Sequence, residues 1–150
     1  MTENAKATEF TLKATTNEVP VVKILCSTDA EKFARQFYND DIAIYESAFI
    51  ILLNQGNMTI GWAKIAQGGI SATIVDVRLV AKYAVDALAS SVIFVHNHPS
   101  GHLVPSIQDD KMTMKIAGGL ALLDIKLRDS LIIGPQHGFY SFRDEGKIKS

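Results

Sequence analysis

Two histidines two residues apart, His96 and His98, are the first feature of this sequence whose type and spacing point to chemistry. In an extended backbone, side chains at i and i+2 project to the same face, so both imidazoles can aim at one point. A third ligand should come from the following loop or first helical turn. Asp109 is the best-placed carboxylate there, with Asp110 as the fallback. Two neutral imidazoles and one carboxylate would leave a bound Zn2+ with a net charge of about +1 and a fourth position open to water. Activating that water also needs a base that does not bind the metal. Glu46 fits, because it stands in an otherwise apolar run in step with Ala48, Ile50 and Leu52, where an unpaired charge is costly to bury.

The elements around these groups follow from periodicity. Residues 92–95 are wholly apolar and read as a short buried strand that delivers the histidines at its end, where α/β sites gather. Pro99 turns the chain, and Ser106 has N-cap spacing to Asp109 for a helix running to about Leu122. Residues 44–53, with Glu46 among them, are rich in β-branched and aromatic types. They end at the turn signal Asn54-Gln55-Gly56-Asn57, which leads into a second strand over 58–66. Upstream, residues 21–25 predict a strand or extended approach. Thr28 and Glu31 have capping-box spacing before Ala30, Phe33, Ala34 and Phe37 at helical intervals.

After Gly68-Gly69, Asp76 should cap a helix with the stripe Val77, Val80, Ala81, Ala84, Val85 and Leu88. Residues 125–127 and 131–133 supply further strand, and 139–142 close a terminal hairpin. Gly118-Gly119 inside a helical pattern suggests close helix packing or a kink. The order predicts an α/β protein with a mixed sheet covered by helices on its faces.

The chain of 150 residues carries 15 Lys+Arg against 16 Asp+Glu and is 47% apolar, which predicts one globular domain over 19–150 behind a polar, threonine-rich, flexible lead-in at 1–18. A formal net charge of −1 lacks the electrostatic footprint of a dedicated nucleic-acid binder. One cysteine, Cys26, excludes an internal disulfide framework and a thiolate-rich zinc module, and reads as a small buried hydrophobe. The sequence shows neither a signal-peptide pattern nor a run of about 18 uncharged residues, so a cytoplasmic location without membrane contact is expected. Taken singly, each polar group has an ordinary explanation: His96 and His98 as a surface pair, Asp109 as a helix-start charge, Ser106 as an N-cap, Ser100 as a turn residue, and His102 and His137 as loop histidines. Their combination favours metal binding over a metal-free relic.

The segment His96-Asn97-His98-Pro99-Ser100-Gly101, then Pro105-Ser106 and Asp109, with a glutamate fifty residues before the first histidine, resembles the JAMM (MPN+) metalloprotease motif and specifically the RadC-like JAB domain family. The likeness covers roughly residues 21–146, including Val75-Asp76-Val77-Arg78, Leu122-Leu123-Asp124-Ile125, Ile132-Ile133-Gly134 and Tyr140-Ser141-Phe142. It implies a deaminase-like three-layer α-β-α sandwich, Zn2+ held by His96, His98 and Asp109, Glu46 as acid and base, and Ser106 donating a hydrogen bond to the tetrahedral intermediate. The implied reaction is metallopeptidase or isopeptidase hydrolysis of an amide bond in a peptide or protein substrate. Spacing alone does not choose amide over phosphoester or amidine.

Two departures stand out. Asp129-Ser130 replaces the Asp-His of many members at an accessory pocket contact, and eighteen lead-in residues cannot supply the N-terminal helix-hairpin-helix region of longer RadC-like proteins. The rival readings are a DNA-repair-associated or mobile-element accessory protein with a nucleic-acid role, which the charge does not support, and a non-catalytic MPN scaffold.

Overall fold

Apolar residues alternate along the central strands, and the alternation sorts them into two cores, one on each face of a five-stranded sheet. The structure, a computed structural model, describes residues 5–11, 14–15, 18–68 and 75–149. Gly69 and part of the 1–18 lead-in lie outside the described residues; the described part of the lead-in carries no helix or strand. In chain order the elements are α1 (Ser27–Arg35), a 3-10 turn (Asp40–Ala43), β1 (Ser47–Leu53), β2 (Thr59–Gln67), α2 (Val77–Asp86), β3 (Ser91–Asn97), α3 (Ile107–Ala121), β4 (Lys126–Ile133) and β5 (Phe139–Ser141). The sheet runs β2-β1-β3-β4-β5. Only β3 and β4 pair in parallel, joined by α3 as the crossover; the other pairs are antiparallel. The predicted mixed sheet with helices on its faces is what forms.

Ala48, Ile50, Leu52, Val92 and Phe94 face α2 and α3, where they meet Val80, Ala84, Ile116 and Leu120. Phe49, Ile51, Leu53, Ile93 and Val95 face α1 and pack on Ala30, Phe33, Ala34 and Phe37. Gly119 brings α3 close to α2, since a Cβ there would meet Val77 Cγ1 at 3.0 Å, whereas one at Gly118 would meet nothing within 4 Å.

Several boundaries differ from expectation, each for a local reason. The capping box at Thr28 does not form, because α1 starts two residues earlier with Cys26 as N-cap, and Asp29 reaches back to the Leu25 N–H (2.9 Å). Cys26 is exposed there rather than buried. The strand expected over 44–53 starts only at Ser47, since the N–H groups of Ile44 and Tyr45 both go to Asp41 O and are lost to the ladder. Residues 21–25 reach the sheet only through the Lys23–Met58 bridge. Asp76 caps α2 as expected, but the helix stops at Asp86, so Leu88 leaves the buried stripe and takes a left-handed φ of 49° with 84% of its surface exposed; Val85 is within the helix but on its exposed side. The two expected strands, 125–127 and 131–133, merge into one, β4, which starts at Lys126 and whose register shifts against β3 beside Arg128. That irregularity turns Asp129 to the α1 face and Ser130 to the α3 face.

Candidate metal centre

β3 carries His96 and Asn97 at its end, and the ladder with β4 extends one residue further, His98 N–H donating to Ile133 O (3.0 Å). The backbone therefore stays extended through His98 and sets both imidazoles on the α3 face, ring centroids 5.1 Å apart. From above them α3 begins with a complete capping box: Ser106 Oγ accepts from Asp109 N–H (3.0 Å) and Asp109 Oδ2 accepts from Ser106 N–H (2.8 Å). The box fixes the Asp109 carboxylate against the histidines, with Oδ1 3.2 Å from His96 Nε2 and Oδ2 3.1 Å from His98 Nε2. One ligand atom from each of the three residues lies within 4.8 Å of the others.

The turn after His98 fixes its tautomer. His98 Nδ1 lies 2.6 Å from the His102 carbonyl oxygen, which can only accept, so Nδ1 carries a proton, and Nε2, 3.1 Å from Asp109 Oδ2, is the nitrogen left for a metal to take. The turn closes through Gly101 N–H to His98 O (3.0 Å) and His102 N–H to Ser100 Oγ (3.2 Å), and it needs Gly101 at φ 81°. Ser100 is thus a turn residue, and His102 serves through its backbone while its side chain stays exposed.

Burial works against a charge on Asp109, but the two imidazoles and the Ser106 N–H outweigh it and hold the carboxyl well below the usual carboxylate range. The same contact with Asp109 raises His98 above its ordinary value, against the opposing effect of burial, and the His102 carbonyl and the charge of Glu46 add to the rise.

His96 tests whether a metal fits. Its ring is buried, and neither Nδ1 nor Nε2 makes a hydrogen bond; the 3.2 Å approach to Asp109 Oδ1 does not have hydrogen-bond geometry. An orphaned buried ring nitrogen costs about 1–3 kcal/mol. Tetrahedral Zn2+ with bonds of about 2.0 Å keeps its ligand atoms about 3.3 Å apart, close to the separations from Asp109 to each histidine. The donor set therefore suits a dication.

Glu46 lies one residue before β1 rather than inside it, half-buried, with its carbonyl accepting from Gly68 N–H (2.9 Å). Ala48 pairs with His96, and continuing that antiparallel register by two residues sets Glu46 opposite His98, on the face that the histidines occupy. Asp110, the fallback ligand, turns away to Lys147 (3.1 Å). No other group of this kind occurs among the described residues.

A family model described as the RadC-like JAB domain matches residues 24–147. The chain belongs to the RadC-like JAB domain family. Among its relatives, a UPF0758 protein of Porphyromonas gingivalis is 44% identical over 103 residues, covering 69% of this chain and 45% of that protein. The UPF0758 protein YfjY of Escherichia coli is 40% identical over 103 residues, covering 69% of this chain and 64% of its own length. The chain spans about half the length of the curated relatives it matches.

Within this JAB domain, the Asp129-Ser130 departure lies inside the protein. Ser130 is fully buried against Thr113 of α3 (3.1 Å), and Asp129 accepts from Ser130 N–H (2.7 Å), Ser141 Oγ (2.7 Å) and Arg143 N–H (3.0 Å). Both residues hold the sheet edge together. Sequence reasoning missed Asn97 and the His102 carbonyl. A buried asparagine flanked by two same-face histidines was the available signal for the first; a backbone group leaves none for the second. No helix among the described residues is long and apolar enough to cross a membrane.

Proposed function

We propose that this JAB domain is a Zn2+-dependent hydrolase that cleaves an amide or isopeptide bond in a peptide or protein substrate, within a deaminase-like α-β-α sandwich. The observation that carries the reading is the convergence of His96, His98 and Asp109, with Glu46 near enough for its charge to act on His98. His96 Nε2, His98 Nε2 and an Asp109 oxygen would hold the ion. The chemistry Zn2+ supplies in such a set is Lewis acidity toward a carbonyl and a nucleophilic water at neutral pH. The Glu46 carboxylate takes a proton from the attacking water and returns it to the leaving nitrogen. Ser106 Oγ accepts from the helix through its lone pair, which leaves its O–H proton to donate to the carbonyl oxygen as charge builds there. His102 and Ser106 act through fixed backbone turns, so little reorganises during the reaction.

Balanced charge gives the nucleic-acid role no support, and a complete ligand set argues against a purely non-catalytic scaffold. The test is elemental analysis of purified and zinc-reconstituted protein, then substrate trapping with Glu46→Gln. One zinc per chain should persist in that variant while hydrolysis is lost. Protein that takes up no zinc refutes the proposal.

A further inference from the structure

Asn97 stands between the two histidines and, by strand alternation, points to the opposite face of the sheet. It is fully buried. Its Oδ1 accepts from Ser47 N–H (2.7 Å), and its Nδ2 donates to the carbonyls of Ile42 and Tyr45 (both 2.8 Å). Both amide protons and the amide oxygen are thereby engaged. The Tyr45 carbonyl and the Ser47 N–H belong to the two peptide units that flank Glu46. A single side chain therefore clamps the backbone on both sides of that residue. The Tyr38 hydroxyl adds a bond to Ser47 O (2.8 Å).

This clamp is placed where strand pairing gives out. Residues 44–46 precede β1: the N–H groups of Ile44 and Tyr45 return to the 3-10 turn, and Glu46 is tied toward β2 through its carbonyl, which accepts from Gly68 N–H. We propose that Asn97 is a positioning residue: it fixes Glu46 relative to the metal ligands by tying the 42–47 segment to the strand position between His96 and His98. The inference rests on the metal reading above. Its physical content is that base and ligands take their spacing from three consecutive residues of one central strand. Aspartate at this position could accept from Ser47 but could not donate to two carbonyls, and leucine would leave all three backbone groups unpaired.

The test needs zinc alone. Zn2+ affinity is measured by chelator competition for wild type, Glu46→Gln, Asn97→Ala and the double variant. A carboxylate held near a dication strengthens its binding, so Glu46→Gln should weaken affinity by about three- to tenfold. Asn97→Ala should weaken it by a similar factor where Glu46 is present, and by less than about twofold in the Glu46→Gln background. Equal losses in both backgrounds would mean that Asn97 acts on the histidines through β3, which overturns the inference. So would an unchanged affinity in Glu46→Gln or in Asn97→Ala. Wild type that binds no zinc sinks the metal reading itself, a result distinguishable from all of these. Asn97→Ser, in the same two backgrounds, carries the same expectation if the alanine variant does not fold. In the metal-free protein, Asn97→Ala should also speed amide exchange at Ser47 by at least about tenfold while His98, bonded to Ile133 O, is unchanged.

Discussion

Ser106→Ala removes one hydroxyl that caps α3 and, in the proposed reaction, donates to the oxyanion, and the two roles differ in size. As N-cap, Ser106 Oγ accepts from Asp109 N–H at 3.0 Å. Losing that bond costs about 1 kcal/mol, which for a chain of this size lowers Tm by about 2–4 °C. The reciprocal bond, from Ser106 N–H to Asp109 Oδ2, is made by backbone and survives the substitution, so Asp109 stays aimed at the histidines and zinc content should hold. A domain with about 5–15 kcal/mol of stability remains folded at 25 °C after such a loss. As a donor to the developing oxyanion, the same hydroxyl is worth about 100- to 1000-fold in kcat, or about 3–4 kcal/mol. The expected result for Ser106→Ala is a small fall in the urea midpoint, one zinc per chain, and a kcat at least about 100-fold down on the amide that Glu46→Gln captures. Ser106→Thr, which keeps both functions of the oxygen, should restore most of it. A kcat within about threefold of wild type, with the stability loss present, would make Ser106 a cap and nothing more.

Asp129→Ala would leave two backbone N–H groups and the Ser141 hydroxyl without their buried acceptor, and should cost about 3 kcal/mol and about 6–12 °C in Tm with zinc content unchanged. Burial pushes the Asp129 carboxyl above its ordinary value, and its hydrogen bonds only partly offset that. The folded state then holds the proton more tightly than the unfolded chain, so the stability difference between wild type and Asp129→Asn should fall as pH rises from about 4 and level off above the raised pKa. Urea unfolding across that range checks it, and a difference that grows with pH contradicts the sign. Gly101→Ala has room for its Cβ but not for its φ of 81°; by displacing the His102 carbonyl from His98 it should weaken Zn2+ binding by about tenfold in chelator competition. Leu88→Asn relieves an exposed leucine held at φ 49° and should raise stability by about 0.5–1 kcal/mol in urea unfolding, with zinc binding unchanged.

The candidate ligands were legible because a period of two and an N-cap spacing are local rules: His96 with His98, and Ser106 with Asp109, each need only a few residues of chain to be read. Glu46 was legible as an odd charge in an apolar run, but not its position outside the strand. That depends on Asp41 O taking the N–H groups of Ile44 and Tyr45, and on a side chain fifty residues away holding Ser47. Cys26 was misread because α1 takes it as N-cap in place of Thr28, a two-residue shift that periodicity does not resolve. Asp129 and Ser130 looked like a site feature because sequence does not display the register shift that sends them to opposite faces within the fold. The α2 stripe overran for a similar reason: Leu88 keeps the helical spacing, but the chain leaves the helix at Asp86.

The geometry of the centre is set by residues that never touch it. The β1–β3 ladder is regular from Leu53 opposite Ser91 to Ala48 opposite His96, while the irregularities of β1 all fall against β2. A slip of one residue in β1 would turn Glu46 to the α1 face and away from His98. Such a slip would also exchange the two cores. The α1 side is aromatic, with Phe37 stacked on Trp62 at 4.4 Å and Phe49 at 5.2 Å from Phe37. The α2 and α3 side is built from Ala48, Val80, Ala84 and close helix contact at Gly119, where a phenyl ring from β1 would have no room. The ring of Phe49 on the α1 side and the methyl of Ala48 beside it on the other side thus penalise a one-residue slip on both faces at once. The relation between the proposed base and the candidate metal ligands is therefore a consequence of core packing.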